Sequence, residues 1–268
     1  MTNEDSSQLI PIASADDPRV GHFADLKGAA RLRDQGLFIA EGSRLVDQLL
    51  SSSFEPHSLL VEERIARDYQ GMVPPGTILY VATKDLIESL VGFRFHRGVL
   101  ACAHRQASPP LSAVVAEPGR QTLVVCLGVQ DPVNLGTIIR TSLALGADAI
   151  LLGEGAPDPF SRRVLRASMG AVLKLPVATM ERVEAGLEEV RRGDFELVAT
   201  VVGPEAVPLD RFARPARMAL LLGSEGTGLG EEWIAMADHR VTIPIAERCE
   251  SLNVAIAAGI FLHHCRAK

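Results

Sequence analysis

Five short apolar runs in the second half of the chain constrain the fold more than any other feature. They are Leu123–Leu127, Ala149–Leu152, Leu197–Val201, Met218–Leu222 and Arg240–Pro244. Each is too short for a buried helix and is bounded by turn residues, and all but Arg240–Pro244 lack an alternation of apolar with polar side chains. A strand with one wet face alternates, whereas a strand covered on both faces does not, so the runs predict a mostly parallel sheet with helices on each side. Asn134–Leu145, Ser161–Leu173, Val183–Arg192 and Leu252–His264 supply the intervening helices. The expected fold over residues 122–268 is a doubly wound α/β domain.

A smaller α/β unit is expected over 17–105. Its pattern is a helix near Val20–Asp34, a strand Gly36–Ala40, a helix Ser43–Ser51, and strands at Ser58–Val61, Thr77–Val81 and Gly98–Ala103. Residues 1–16 are rich in Ser, Asp and Asn without periodicity and read as a flexible tail. Residues 106–121, with Pro109-Pro110 and Pro118-Gly119, read as a linker. A length of 268 residues accommodates two cores. The 47% hydrophobic and 22% charged content describes packed domains rather than a disordered chain, and 4% aromatic content makes the cores aliphatic.

Several functional classes are disfavoured. There is no apolar stretch of about 18 residues, and the N-terminus is acidic and polar, so neither a membrane span nor a signal peptide is expected and the protein reads as cytoplasmic. Cys102, Cys126, Cys249 and Cys265 show no paired spacing, and His263-His264 beside Cys265 diverge on a helix, so no metal site is expected. A net charge of −6 argues against non-specific wrapping of nucleic acid but leaves room for a local basic patch. Candidates are Arg31 and Arg33, Arg44, Arg94-His96-Arg97, and Arg162-Arg163-Arg166.

Ligands of open α/β sheets bind beyond the carboxyl ends of the strands, which directs attention to three loops. After the first run, Asp131 or Asn134 can cap a helix that carries Arg140 nearly two turns further in; a capped helix with a surface arginine is an equal reading. After the fourth comes Gly223-Ser224-Glu225-Gly226-Thr227-Gly228-Leu229, whose glycines allow close backbone approach to a ligand or merely form a tight turn. The last run leads to Ile243-Pro244 and then Glu250-Ser251-Leu252-Asn253-Val254, where Ser-x-Asn opens an apolar helix as a cap or as something more.

Together the three loops resemble the signature motifs of the SpoU (TrmH-like) branch of the SPOUT methyltransferases. The resemblance runs from Leu123 to the C-terminus, and the region from Pro18 to His104 is similar, more weakly, to the L30e-like substrate-binding domain often placed in front. It implies a deep trefoil knot, a homodimer whose interface builds the active site, and S-adenosylmethionine as methyl donor with no metal. It assigns donor binding to Thr200, Gly223, Ser224, Gly228, Ile243, Ser251 and Leu252, and catalysis to Asn134, Arg140, Glu225, Ser251 and Asn253. The implied reaction is methylation of a ribose 2′-hydroxyl in structured RNA, ribosomal RNA before transfer RNA; among the basic candidates Arg44, Arg97 and Arg166 are the expected RNA contacts, a solvated face being the plainer reading of each taken alone. A guanidinium holds its proton above about pH 12, so Arg140 is expected to stabilise a developing alkoxide or grip a phosphate rather than act as a literal base. The competing classes are a non-catalytic RNA-binding module and a nucleotide-dependent enzyme using the Gly223–Gly228 loop.

Overall fold

The computed structural model describes residues 8–24, 26 and 29–266. The chain divides into two compact units, Met1–Gln106 with Phe160–Arg162, and Ala107–Pro159 with Arg163–Lys268. No helix among the described residues is long and apolar enough to cross a membrane.

The first unit is a five-stranded sheet in the order β1-β4-β3-β5-β2. Its strands are β1 (Leu9–Pro11), β2 (Leu37–Glu41), β3 (Pro56–Glu62), β4 (Ile78–Ala82) and β5 (Val99–His104), accompanied by α1 (Ala29–Asp34), α2 (Ser43–Leu50), α3 (Ala66–Gln70) and α4 (Lys84–Val91). Strand β4 runs parallel to β1 and β3, and β5 antiparallel to β3 and β2. Val20, Phe23, Ile39, Leu60, Ile87 and Leu100 belong to its core.

Two expectations for this unit need correction. Of the supposed tail, residues 1–7 lie outside the described residues, but Leu9–Pro11 pair in register with Leu79–Val81. The single helix expected over Val20–Asp34 is a 3-10 helix, Pro18–Phe23, and then α1. Asp17 caps the first piece by accepting from the Arg19 N–H, and extended backbone at Ala24 (φ −74°, ψ 146°) ends it.

Phe160 packs against Phe38 and Phe54, with ring centroids 5.0 and 5.5 Å apart. Arg162 pairs with Glu41 at 2.7 Å and stacks 4.4 Å from the Phe93 centroid, so this member of the expected basic patch is consumed internally.

The second unit holds a seven-stranded sheet, β10-β12-β9-β11-β6-β7-β8, in which every pairing is parallel. The strands are β6 (Gln121–Cys126), β7 (Ala149–Leu152), β8 (Val177–Thr179), β9 (Glu196–Thr200), β10 (Val207–Pro208), β11 (Arg217–Leu222) and β12 (His239–Thr242). The helices are α5 (Leu111–Ala116), α6 (Pro132–Leu145), α7 (Arg162–Ala167), α8 (Val183–Arg192), α9 (Glu231–Met236) and α10 (Val254–Cys265). Strands β6 and β7 are buried end to end, as the unalternating runs predict. The helix expected over Ser161–Leu173 stops at Ala167, because Met169 and Gly170 take left-handed backbone (φ 50° and 80°) before a 3-10 turn at Ala171–Leu173.

The expected linker is partly helical. Within it lies α5, whose Val114 joins the core of the second unit. The Arg217 guanidinium on β11 donates to the carbonyls of Val115, Glu117, Gly119 and Gly193, while lying 4.1 Å from the Phe195 centroid. One cation thereby satisfies carbonyls that a free linker would have left to water.

Candidate active site

Strands β12, β9, β11 and β6 are consecutive neighbours in the sheet and all parallel. Their carboxyl ends therefore bring the loops starting at Ile243, Val201, Gly223 and Leu127 to one rim. The Gly223 loop is closed by a two-way backbone bridge, with Ser224 N donating to Gly228 O at 2.9 Å and Gly228 N to Ser224 O at 3.1 Å. A Cβ on Gly223 would lie 2.2 Å from the Gly228 carbonyl carbon, so only glycine permits the closure. Gly228 turns the loop back at φ +71°.

A chain of amides crosses this rim. Asp131 caps α6 by accepting from the N–H groups of Val133 and Asn134. The Asn134 side chain, thus held at the first turn, donates to Glu225 Oε1 at 2.8 Å. Its own Oδ1 accepts from Asn253 Nδ2 at 3.0 Å. Asn253 Oδ1 in turn accepts from Ala255 N and Ile256 N, capping α10. Both asparagines spend donor and acceptor together, which leaves each one orientation. Burial alone would raise the Glu225 carboxyl, but hydrogen bonds from the Asn134 amide and from the backbone around Glu225, Gln130 and Asp131 hold it below the usual carboxylate range.

Beside this chain lies a cavity of about 580 Å³, within the range of small-ligand sites. Thr200, Gly223, Ser224, Gly228, Ile243, Ser251 and Leu252, the expected donor-binding set, all line it, as do Glu225 and Asn253. Thr200 is held by donation from its Oγ1 to the Leu221 carbonyl at 2.8 Å. The wall also includes Ile245, Phe261 and Glu231, which sequence reasoning passed over; Glu231 opens α9, a helix too short to leave a periodic signature. The described lining residues include two carboxylates, Glu225 and Glu231, and no Lys, Arg or His.

Other expected residues lie elsewhere. Arg140 does not line the cavity; it is exposed on α6, with no side-chain partner among the described residues. Arg44 on α2 and Arg97 belong to the first unit, both exposed, Arg97 standing 3.7 Å from Glu41. Arg166 is exposed on α7. Spacing along the chain gives no metal pattern, yet the fold of the first unit collects His22, His57 and Cys102, which reading the cysteines in sequence could not reveal.

The SpoU rRNA Methylase family matches residues 121–263, the whole stretch that builds this rim. The chain belongs to that family. This SpoU methylase is 36% identical over 264 residues to an uncharacterized tRNA/rRNA methyltransferase of Mycobacterium tuberculosis, covering 96% of this chain and 91% of the relative. It is 28% identical to RlmP of Bacillus subtilis, a 23S rRNA (guanosine(2553)-2′-O)-methyltransferase, over 95% of this chain and 98% of that protein. The AdoMet-bound rRNA methyltransferase of Sinorhizobium meliloti superposes with a TM-score of 0.86 at 29% identity, covering 97% of this chain and 98% of the other.

The cavity fits S-adenosylmethionine on its own evidence. A wall without cations and with two carboxylates suits a ligand whose sulfonium and ammonium are positive, and disfavours the phosphates of a nucleotide cofactor. Gly223 lets the loop close on itself, which keeps its backbone along the cavity wall.

Proposed function

We propose that this SpoU methylase transfers a methyl group from S-adenosylmethionine to a ribose 2′-hydroxyl of structured RNA, ribosomal RNA before transfer RNA. The carrying observation is the cation-free cavity walled by Glu225 and Glu231 and edged by the Glu225-Asn134-Asn253 chain. Thr200, Gly223, Ser224, Gly228, Ile243, Ser251 and Leu252 would hold the donor, which supplies an electrophilic methyl carbon when bound. The family membership and the names of the relatives support the reading; the 2′-O position is stated of RlmP.

The residues of this chain then position the acceptor. Asn134, Asn253 and Ser251 offer oriented polar groups to a ribose, and Glu225 keeps Asn134 in place. As the ribose oxygen takes the methyl group, which would leave the donor as a neutral thioether, the hydroxyl proton passes to solvent. Arg140 meets the negative charge developing on the ribose oxygen or grips the neighbouring phosphate, work suited to a permanent cation with no internal partner.

The functional form in this proposal is a homodimer. Helices α6 and α10 pack together and leave Val133, Leu143, Ile256 and Ile260 exposed at 55%, 36%, 55% and 38%. A second copy would cover these apolar groups and bring its Arg140 to the first copy's site. The first unit serves as an L30e-like RNA-recognition domain, and the second carries the trefoil knot.

Incubating the protein with tritiated S-adenosylmethionine and either ribosomal or transfer RNA, followed by nucleoside mass spectrometry, tests the proposal. It expects label in ribosomal RNA on a ribose oxygen. Label on a base, or in neither RNA, sinks it.

A further inference from the structure

The first unit carries a constellation that methyl transfer does not use. His22 on the 3-10 helix, His57 on β3 and Cys102 on β5 each offer one ligand atom, all within 4.8 Å of one another. Three separate elements converge to achieve this.

The convergence has a local cause. In a regular strand His57 and Ser58 would face opposite sides of the sheet. The β3–β5 register shifts between Pro56 and Ser58, an irregularity that turns His57 to the face shared by Ser58 and its cross-strand neighbour Cys102. The buried Ser58 hydroxyl then lies 2.7 Å from His22 Nε2 and 3.0 Å from His57 Nδ1. A hydroxyl has a single proton, so it donates to one ring and accepts from the other. Two imidazoles and a thiol are thus aimed at one small region. His104 follows Cys102 by two residues, on the same face of β5, and its ring centroid is 5.6 Å from that of His57.

We propose that His22, His57 and Cys102 bind one zinc ion, with His104 in reach of the fourth position. Imidazole and thiolate are zinc's preferred donors, and the absence of a carboxylate from the set argues against calcium or magnesium. Zinc–nitrogen and zinc–sulfur bonds of about 2.0–2.3 Å require ligand atoms roughly 3.3–3.6 Å apart in a tetrahedral site. The widest pair, within 4.8 Å, therefore closes by at most about 1.2–1.5 Å, within reach of side-chain rotations. The Cys102 thiol loses its proton to solvent as the Zn–S bond forms, each imidazole gives a lone pair, and the Ser58 hydroxyl turns aside. The Arg31 guanidinium, which acts on His22, opposes the cation, and the thiolate charge offsets it. The ion would tie the 3-10 helix to β3 and β5, stiffening the unit assigned to RNA.

The test uses the full chain, dialysed against chelator and titrated with zinc chloride by calorimetry and with cobalt(II) by absorbance. One equivalent of metal is expected, with a thiolate-to-cobalt charge-transfer band in the near ultraviolet. That band should vanish in Cys102→Ser and persist in Cys249→Ser, which alters the exposed thiol. His57→Gln should lose at least about tenfold in zinc affinity and the zinc-induced rise in Tm. No binding at tens of micromolar zinc, or a band surviving in Cys102→Ser, overturns the proposal. If Cys102→Ser does not fold, His57→Gln decides, and wild-type affinity in that variant is equally fatal.

Discussion

The proposed roles of single side chains separate by what each one touches. Arg140 lies outside the cavity wall, so Arg140→Ala should abolish methyl transfer while donor affinity by calorimetry stays within a few fold; activity above a tenth of wild type would contradict the role given to it. Gly223→Ala should do the reverse, weakening donor binding at least tenfold and lowering stability by about 1–3 kcal/mol, because the new Cβ collides with backbone at 2.2 Å. Glu225 supplies a pH signature. Its folded carboxyl titrates below the usual range, so its contribution to stability is complete above the unfolded value of about 4.3 and disappears as pH falls through the depressed folded value. The denaturant-midpoint gap between wild type and Glu225→Gln should accordingly be constant near neutrality and shrink in acid. At this scale the loops, taken one at a time, read as caps and turns, and only their joint resemblance to a family pattern grouped Asn134 with Asn253; nothing linear announces that residues 119 apart hydrogen-bond to each other.

Among elements, the strands with the longest apolar runs were readable because burial on both faces writes itself into composition. Strands β8 and β10, at 3 and 2 residues, are too short to carry any pattern. Strand β1 was hidden beside a polar terminus, since three residues are too few to show a period. Helix α5 was hidden among prolines, its stability coming from contacts made by Arg217 about a hundred residues later. Arg217→Met should therefore destabilise the protein by about 2–3 kcal/mol through the carbonyls it abandons, read as a lowered denaturant midpoint. The exposed faces of α6 and α10 give another outcome at this scale. Ile256→Asp with Ile260→Asp should shift a sedimenting dimer to monomer, and an unchanged sedimentation coefficient would remove that face from the proposed interface.

For the molecule as a whole, two units were foreseeable from alternating patterns, whereas the inclusion of Phe160–Arg162 in the first was not, because aromatic packing on Phe38 and Phe54 leaves no periodic trace. RNA engagement belongs to this scale. Arg44→Ala and Arg166→Ala should each weaken RNA binding and flatten its logarithmic salt dependence by about 0.7–0.9, a change filter binding at graded salt would resolve. The amide chain across the rim has a consequence for the order of synthesis. Asn134 is translated long before Asn253, and Asn253 acquires its orientation only from the first turn of α10. While α10 is still within the ribosome, a nascent chain holds Asn134 without its partner and a cavity lacking one wall. Products of premature termination should consequently be inert, so that competence to modify RNA arises only after translation has passed α10.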